Sequence, residues 1–312
     1  MPGGQPPERK RDMKVISIAL LAIGVTGAVV GGIGVGKLIS NKFKPDTTEY
    51  LVDEVQIDVE GALNAYEDIS KGNKDYTKMA PDQAVQVAFH RFGQEEKNYS
   101  IGVGFSLASI VRQDIQARSV KDGDRFFEES NSIGLVNIHD RMFQQGDNVD
   151  TYWGEGSDYG SHPLKSYGAK DYAAMMGRQV KESLVYIVAP ETLSEKSLSG
   201  DPLSGIAKTD TGYTIEIELN PVKGVANYQK QMKTISDLAA KPAFDYCHLT
   251  IYTDSNLDLI RFETHEQYFA KTKAGVGSIA EGRLHTVYYH NTLPEEGFPS
   301  VDSPSYAYPS SI

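Results

Sequence analysis

Apolar and polar positions along the chain follow three successive patterns. Residues 15–36 form 22 uncharged positions built mostly from Ile, Val, Leu, Ala and Gly. As a helix such a run is about 33 Å long, enough to cross the hydrocarbon layer of a bilayer. After it, apolar residues recur every three or four positions at Val52, Val55, Val59, Leu63, Tyr66 and Ile69 and stop near Gly72, which predicts an amphipathic helix. A second helix is marked by Pro81 in a first-turn position, with Val85, Ala88, Phe89 and Phe92 on one face and Gly93 at its end. A third opens at Asn220-Pro221, an N-cap followed by a first-turn proline, with Val222, Val225, Tyr228, Met232 and Ile235 as its stripe. The spacing predicts a fourth, shorter helix over 171–178.

Between these helices the period changes to two. Tyr99, Ile101, Val103, Phe105 and Leu107 alternate with Ser100, Gly102, Gly104, Ser106 and Ala108, a strand with one bulky and one nearly bare face. The alternation runs on through Val111, Ile115 and Ala117 to a turn at Lys121-Asp122-Gly123-Asp124 and an answering strand over 125–133. It predicts one long strand, bent by its glycines or by a bulge, as in half-closed or closed barrels. Further strands are predicted over 135–143, 149–153, 183–188, 213–219, 244–252, 257–268 and 279–290. Tyr213, Ile215, Ile217 and Leu219 alternate with Thr214, Glu216 and Glu218, a strand wet on one face. Helix, strand, hairpin turn and strand follow one another over 81–133 and again over 221–268, an arrangement open to an internal duplication. The fold class these patterns predict is α+β: an N-terminal transmembrane helix, then a curved, half-barrel-like antiparallel sheet with helices across one face. The corresponding divisions are a cytoplasmic tail (1–14), the transmembrane helix (15–39), a linker (40–48), an extracytoplasmic α+β domain (49–290) and a Pro/Ser-rich flexible tail (291–312).

The apolar run reads as an uncleaved anchor. A secretory signal has an apolar core of roughly 7–15 residues ending in small residues, whereas this run continues into Lys37-Leu38-Ile39-Ser40-Asn41-Lys42. Arg9, Lys10, Arg11 and Lys14 precede it and Lys37, Lys42 and Lys44 follow, a slight positive-inside bias. One span with the soluble bulk behind it places the N-terminus in the cytoplasm and the C-terminal domain outside. Gly27/Gly31 and Gly32/Gly36 are each four apart, a spacing that lets two membrane helices approach closely and form a dimer. The ordinary abundance of glycine in membrane helices accounts for them equally.

Charge narrows the partners. Lys+Arg 31 against Asp+Glu 42 gives a net charge of -11, but residues 1–44 hold seven basic and two acidic side chains. The acidic bulk beyond them repels phosphate backbones, which argues against nucleic-acid binding. The single Cys247 excludes an internal disulfide and a cysteine-based zinc cluster.

Candidate chemistry is sparse. The seven histidines show no metalloprotease spacing. Glu263 and His265 share one face of a predicted strand, and Arg283 and His285 share one face of its predicted partner, so the four could converge; a solvated sheet face explains them as well. Asp254-Ser255-Asn256-Leu257-Asp258 imitates the start of a calcium loop, but Leu259 stands where Gly is needed and His265 where Glu is needed, and a hairpin turn fits better. Cys247 lies between Tyr246 and His248 in a strand, where neighbours face opposite ways, so it reads as a buried structural thiol. No motif points to a catalytic residue, cofactor or metal. The 18 tyrosines could line a cavity or fill a core.

The order of helix (81–92), long curved hairpin (99–133), further meander strands, proline-initiated helix (221–238) and three final strands resembles the lipoprotein-carrier superfamily, the LolA- and LppX-like half-barrels. The resemblance covers residues 80–290 and is architectural. It implies a strongly bent antiparallel sheet with helices across its open face, enclosing an apolar cavity for acyl chains. A retained membrane helix departs from that family and favours a stationary lipid-binding, sensing or regulatory domain over a shuttle. The function expected is therefore non-catalytic binding of a lipid or other apolar ligand, with Ile101, Val103, Phe105, Leu107, Tyr213, Ile215 and Ile217 as the cavity face. The alternative is a protein-protein interaction module of the cell envelope whose interior is filled by its own side chains.

Overall fold

Eleven strands pair in one open antiparallel sheet in a computed structural model that describes residues 57–108, 111–134, 137–155, 162–176, 184–194, 200–235, 238–271, 277–304 and 306–309. The apolar run, with Gly27, Gly31, Gly32 and Gly36, lies outside the described residues; among those described, no helix is long and apolar enough to cross a membrane. The strands are β1 (Lys97–Ala108), β2 (Val111–Asp122), β3 (Arg125–Ile133), β4 (Ile138–Gln145), β5 (Asn148–Glu155), β6 (His162–Gly168), β7 (Gly205–Lys208), β8 (Gly212–Glu218), β9 (Ala243–Asp254), β10 (Leu259–Lys271) and β11 (Gly277–His290). Their order is β6-β5-β4-β3-β2-β1-β11-β10-β9-β8-β7, two meanders joined along the β1–β11 seam. A sheet of this width coils through accumulated strand twist. The α+β class and the open, half-barrel-like sheet agree with the sequence patterns. Among the described residues four α-helices accompany it: α1 (Val59–Lys71), α2 (Pro81–Gln94), α3 (Ala169–Met176) and α4 (Ala226–Ile235).

Helix α2 starts at Pro81, whose missing N–H costs nothing in a first turn. It buries Ala84, Val85, Ala88, Phe89 and Phe92 against the sheet. Phe89 meets Phe262 and Tyr288 edge-on, with ring centroids 5.5 and 5.9 Å apart. Each such aromatic contributes about 1.5–3 kcal/mol by leaving water. Helix α1 is capped by Asp58, whose Oδ1 accepts the Gly61 N–H at 2.8 Å, and packs on α2. Asn220 does cap, its Oδ1 accepting the N–H groups of Val222 and Lys223 at 3.0 Å, but residues 221–225 form turns and the α-helix begins at Ala226.

Two expectations are corrected. The long bent strand is a hairpin: Ala108 pairs with Val111, so the chain reverses after β1. Alternation of period two survives such a reversal, and Ser109-Ile110 carries no glycine or proline to announce it. The run 183–188 is not a strand over its described part; Tyr186, Ile187 and Val188 are buried in an extended loop, with the Ile187 N–H donated to the Gly224 carbonyl at 2.9 Å.

The C-terminal segment, expected to be flexible, is seated on the sheet face opposite the helices. Arg118 pairs with Glu296 and lies under the Tyr306 ring, and Arg125 lies over Phe298. Arg141 donates from Nη1 to the carbonyls of Val301 (3.2 Å) and Ser303 (2.9 Å), and from Nε to Glu129 Oε2 at 2.9 Å. The Tyr308 hydroxyl donates to the other Glu129 oxygen at 2.9 Å. Pro294 and Pro299 are buried. Proline and serine lower the helix and strand propensity of a segment, but they do not prevent it from docking through aromatic rings and backbone carbonyls.

Candidate functional site

Strand pairing decides which side of β1 faces the helices. Phe262 and Tyr288, the residues that meet α2, are in phase with Ser100, Gly102, Gly104, Ser106 and Ala108 through the pairs Phe262↔Thr286, Tyr288↔Ser100 and Thr286↔Gly102. The bare face of β1 therefore lies under the helices. Ile101, Val103, Phe105 and Leu107 share the opposite face with Val287, His285, Arg283 and Glu281. Tyr213, Ile215 and Ile217 do lie on the helix-bearing face, where they are at most 3% exposed and packed in the cluster under α2. The seven residues expected to line one cavity thus stand on two sides of the sheet, and the three on the helix side are core.

Among the described residues two apolar clusters lie on the helix-bearing face of the sheet itself. One joins α1, α2 and β8–β11 and includes Ala88, Phe89, Ile215, Leu249, Ile251 and Phe262. The other joins Phe126, Met142, Val149 and Tyr172 from β3–β5 and α3. Between them runs a strip of small or half-buried side chains: Gly104 beside Leu284 of β11 and Ile115 of β2, with Ala117 beside Gly102 and Ser130. Glycine is required at 104, because a Cβ there would fall 2.1 Å from the Arg283 carbonyl oxygen. Helix α3 contacts β5 and β6, while α4 lies against β9 and β10 through Tyr228, whose ring is 5.7 Å from that of Phe244. The two helices touch one another, so together they bridge the strip.

On its β10 side the strip is edged by a buried acid. Glu266 is 4% exposed and accepts from the Tyr228 hydroxyl at 3.0 Å and the Tyr186 hydroxyl at 3.3 Å. Burial pushes its carboxyl up to about 7 and the Tyr186 phenol well above its ordinary value. The carboxylate leans over Gly282, since a Cβ there would lie 2.8 Å from Oε1. Register then carries the row on to Ser106 and Gln113 of β1 and β2, while Cys247 flanks Glu266 on β9. Cys247 is fully buried, as expected, and burial raises its thiol well above the usual value. Sequence reasoning passed over Glu266, although a signal existed: it is in phase with Phe262, Thr264 and Tyr268 on the buried face of an alternating strand.

The Glu263, His265, Arg283 and His285 group does converge, on the face away from the helices, through the pairs Glu263↔His285 and His265↔Arg283. There the side chains satisfy one another. His285 pairs with Glu263, His265 with Glu281 at 3.0 Å, and Arg283 with Glu281 at 2.9 Å. Among the described residues no group of three or more His, Cys, Asp or Glu could hold a metal ion. The Asp254–Asp258 segment is a hairpin turn, its Asp254 Oδ1 accepting the N–H groups of Asn256 (2.7 Å) and Asp258 (2.9 Å).

No family model and no curated protein matches the sequence. Among solved structures the chain bears a weak resemblance to LprF from Mycobacterium bovis, at 9% identity and a TM-score of 0.32 over 70% of this chain and 97% of that one. The lipoprotein LppX from Mycobacterium tuberculosis is similar at 10% identity and a TM-score of 0.30, over 69% of this chain and 97% of that one. A DUF1329 family protein from Desulfovibrio piger matches at 10% identity and a TM-score of 0.25, over 69% and 93%. These are likenesses in the layout of sheet and helices, the same architectural resemblance that the order of elements implies.

Proposed function

We propose that the domain binds an apolar ligand, such as a lipid chain, on the helix-bearing face of its sheet, without transforming it, while residues 15–39 anchor it to a membrane and the domain stands outside the cytoplasm. One observation carries the binding reading. The helix-bearing face divides into two buried apolar clusters separated by Gly104, Ile115, Ala117 and Leu284, and these four are small or incompletely buried although two helices bridge them. A sheet evolved only to be filled would bury these positions as fully as the clusters on either side, because dispersion contacts and burial both favour a continuous core. The anchor rests on the 22-residue uncharged run.

Ala117→Phe separates this reading from a filled interaction module. The full chain is reconstituted in phosphatidylcholine vesicles, exposed to a neutral long-chain alcohol bearing a photoreactive diazirine, irradiated and mapped by peptide mass spectrometry. Wild type is expected to carry adducts on β1, β2 and β11, and Ala117→Phe to lose them with its denaturation midpoint unchanged. An absence of adducts in those strands, with Ala117→Phe destabilising by about 1–3 kcal/mol as overpacking does, would overturn the binding reading in favour of the interaction module.

A further inference from the structure

The geometry around Glu266 points to the chemistry of the ligand's polar end. We infer that the strip receives an amphiphile with a cationic, amine-type head, and that the Glu266 carboxylate is the group that holds this head. The inference rests on the apolar-ligand reading above and specifies its ligand.

Four observations support it. Glu266 is 4% exposed and lies between the sheet and α4, so water does not solvate its charge. The titratable groups that face it are Tyr186, Tyr228, Tyr268 and Cys247, so among the described residues no cation opposes it. The tyrosines supply hydrogen bonds without countercharge, one to each oxygen, and each carboxylate oxygen keeps a further lone pair. The carboxylate lies over Gly282, so β11 puts no side chain between it and Ser106 on the bare face of β1.

A buried carboxylate with hydrogen bonds and no counterion is costly, and an ion pair in a site that excludes water recovers part of that cost. An ammonium has three donors and no acceptor, which matches an acceptor-only site with two open lone pairs. A fatty carboxylate fits there only while one of the two carboxyls keeps its proton, whereas an ammonium pairs with the ionised Glu266 and stabilises that form. The long chain of either amphiphile would lie along Gly104, Ile115, Ala117 and Leu284. Head-group charge, at constant chain length, is therefore the variable that Glu266 reads.

The test uses the full chain in phosphatidylcholine vesicles with two photoreactive probes of equal chain length, a primary alkylamine and an alkanoic acid. Adducts are mapped by peptide mass spectrometry, and denaturation midpoints of each variant are measured alongside. The expected result for wild type is amine labelling of the β1 and β11 peptides at least about tenfold above acid labelling, as loss of a buried charge partner implies. Glu266→Gln keeps the size and one acceptor of the side chain and should bring amine labelling down to the level of the acid. Equal labelling of these peptides by both probes in wild type, or amine labelling that Glu266→Gln leaves unchanged, would overturn the inference and leave the apolar-ligand reading standing. Labelling by neither these probes nor the neutral alcohol would overturn both. Should Glu266→Gln not fold, the amine-against-acid comparison in wild type still decides.

Discussion

Replacing Arg141 tests how the C-terminal segment is held. Its side chain is 3% exposed and that of its partner Glu129 1%, with Nε 2.9 Å from Oε2. Arg141→Met keeps most of the length and apolar stem but removes the charge, leaving Glu129, among the described hydrogen bonds, with the neutral Tyr308 hydroxyl as donor. The carbonyls of Val301 and Ser303 lose their guanidinium donor in the same change. Breaking a buried pair from one side typically costs about 3–5 kcal/mol, far above the roughly 0–1 kcal/mol of an exposed pair. The segment can lift off and let water reach Glu129, which limits the cost and moves it to the segment. Equilibrium urea denaturation of the full chain should therefore lose about 3 kcal/mol or slightly less, and hydrogen exchange should speed up at the amides of residues 296–308. The double variant Arg141→Met/Glu129→Leu removes both charges and should recover most of the stability while the segment stays loose. A loss below about 0.5 kcal/mol for the single variant, or unchanged exchange in the segment, would refute this account of the buried pair.

Two further outcomes follow from the sheet. Gly104→Ala places a Cβ 2.1 Å from the Arg283 carbonyl, a backbone atom that cannot rotate away, so the β1–β11 seam should open and the denaturation midpoint fall by about 1–3 kcal/mol. His248 bonds Glu218 at 3.1 Å, and that hydrogen bond raises its folded pKa above the ordinary 6.5. A raised histidine stabilises below its unfolded pKa and loses that contribution as pH rises through the folded value. Denaturation midpoints measured from about pH 5.5 to about pH 8.5 should fall more steeply in wild type than in Glu218→Gln, and equal slopes would show that the pair is not felt in solution.

Local rules in the sequence determined where most of the elements lie. Pro81 and the three-to-four spacing of Val85, Ala88, Phe89 and Phe92 specify α2 because a helix repeats every 3.6 residues whatever surrounds it. The alternation from Tyr99 to Ala108 likewise specifies a strand, and Asp254 specifies its turn through its own side chain. Period alone could not say that the chain reverses between Ala108 and Val111, because antiparallel neighbours keep the same alternation. Nor could it say which face of β1 looks inward. Bulk suggested Ile101, Val103, Phe105 and Leu107, yet the seam with β11 puts those residues in phase with His285 and Arg283, and the bare face under the helices. Tertiary structure alone joined Arg141 to the carbonyls of Val301 and Ser303, about 160 residues away. It also set the Tyr186 and Tyr228 hydroxyls on Glu266, 80 and 38 residues from it. A polar residue on a buried strand face is visible in sequence, but its partners are chosen by the register and the helices laid over it, and these depend on contacts that no local pattern encodes.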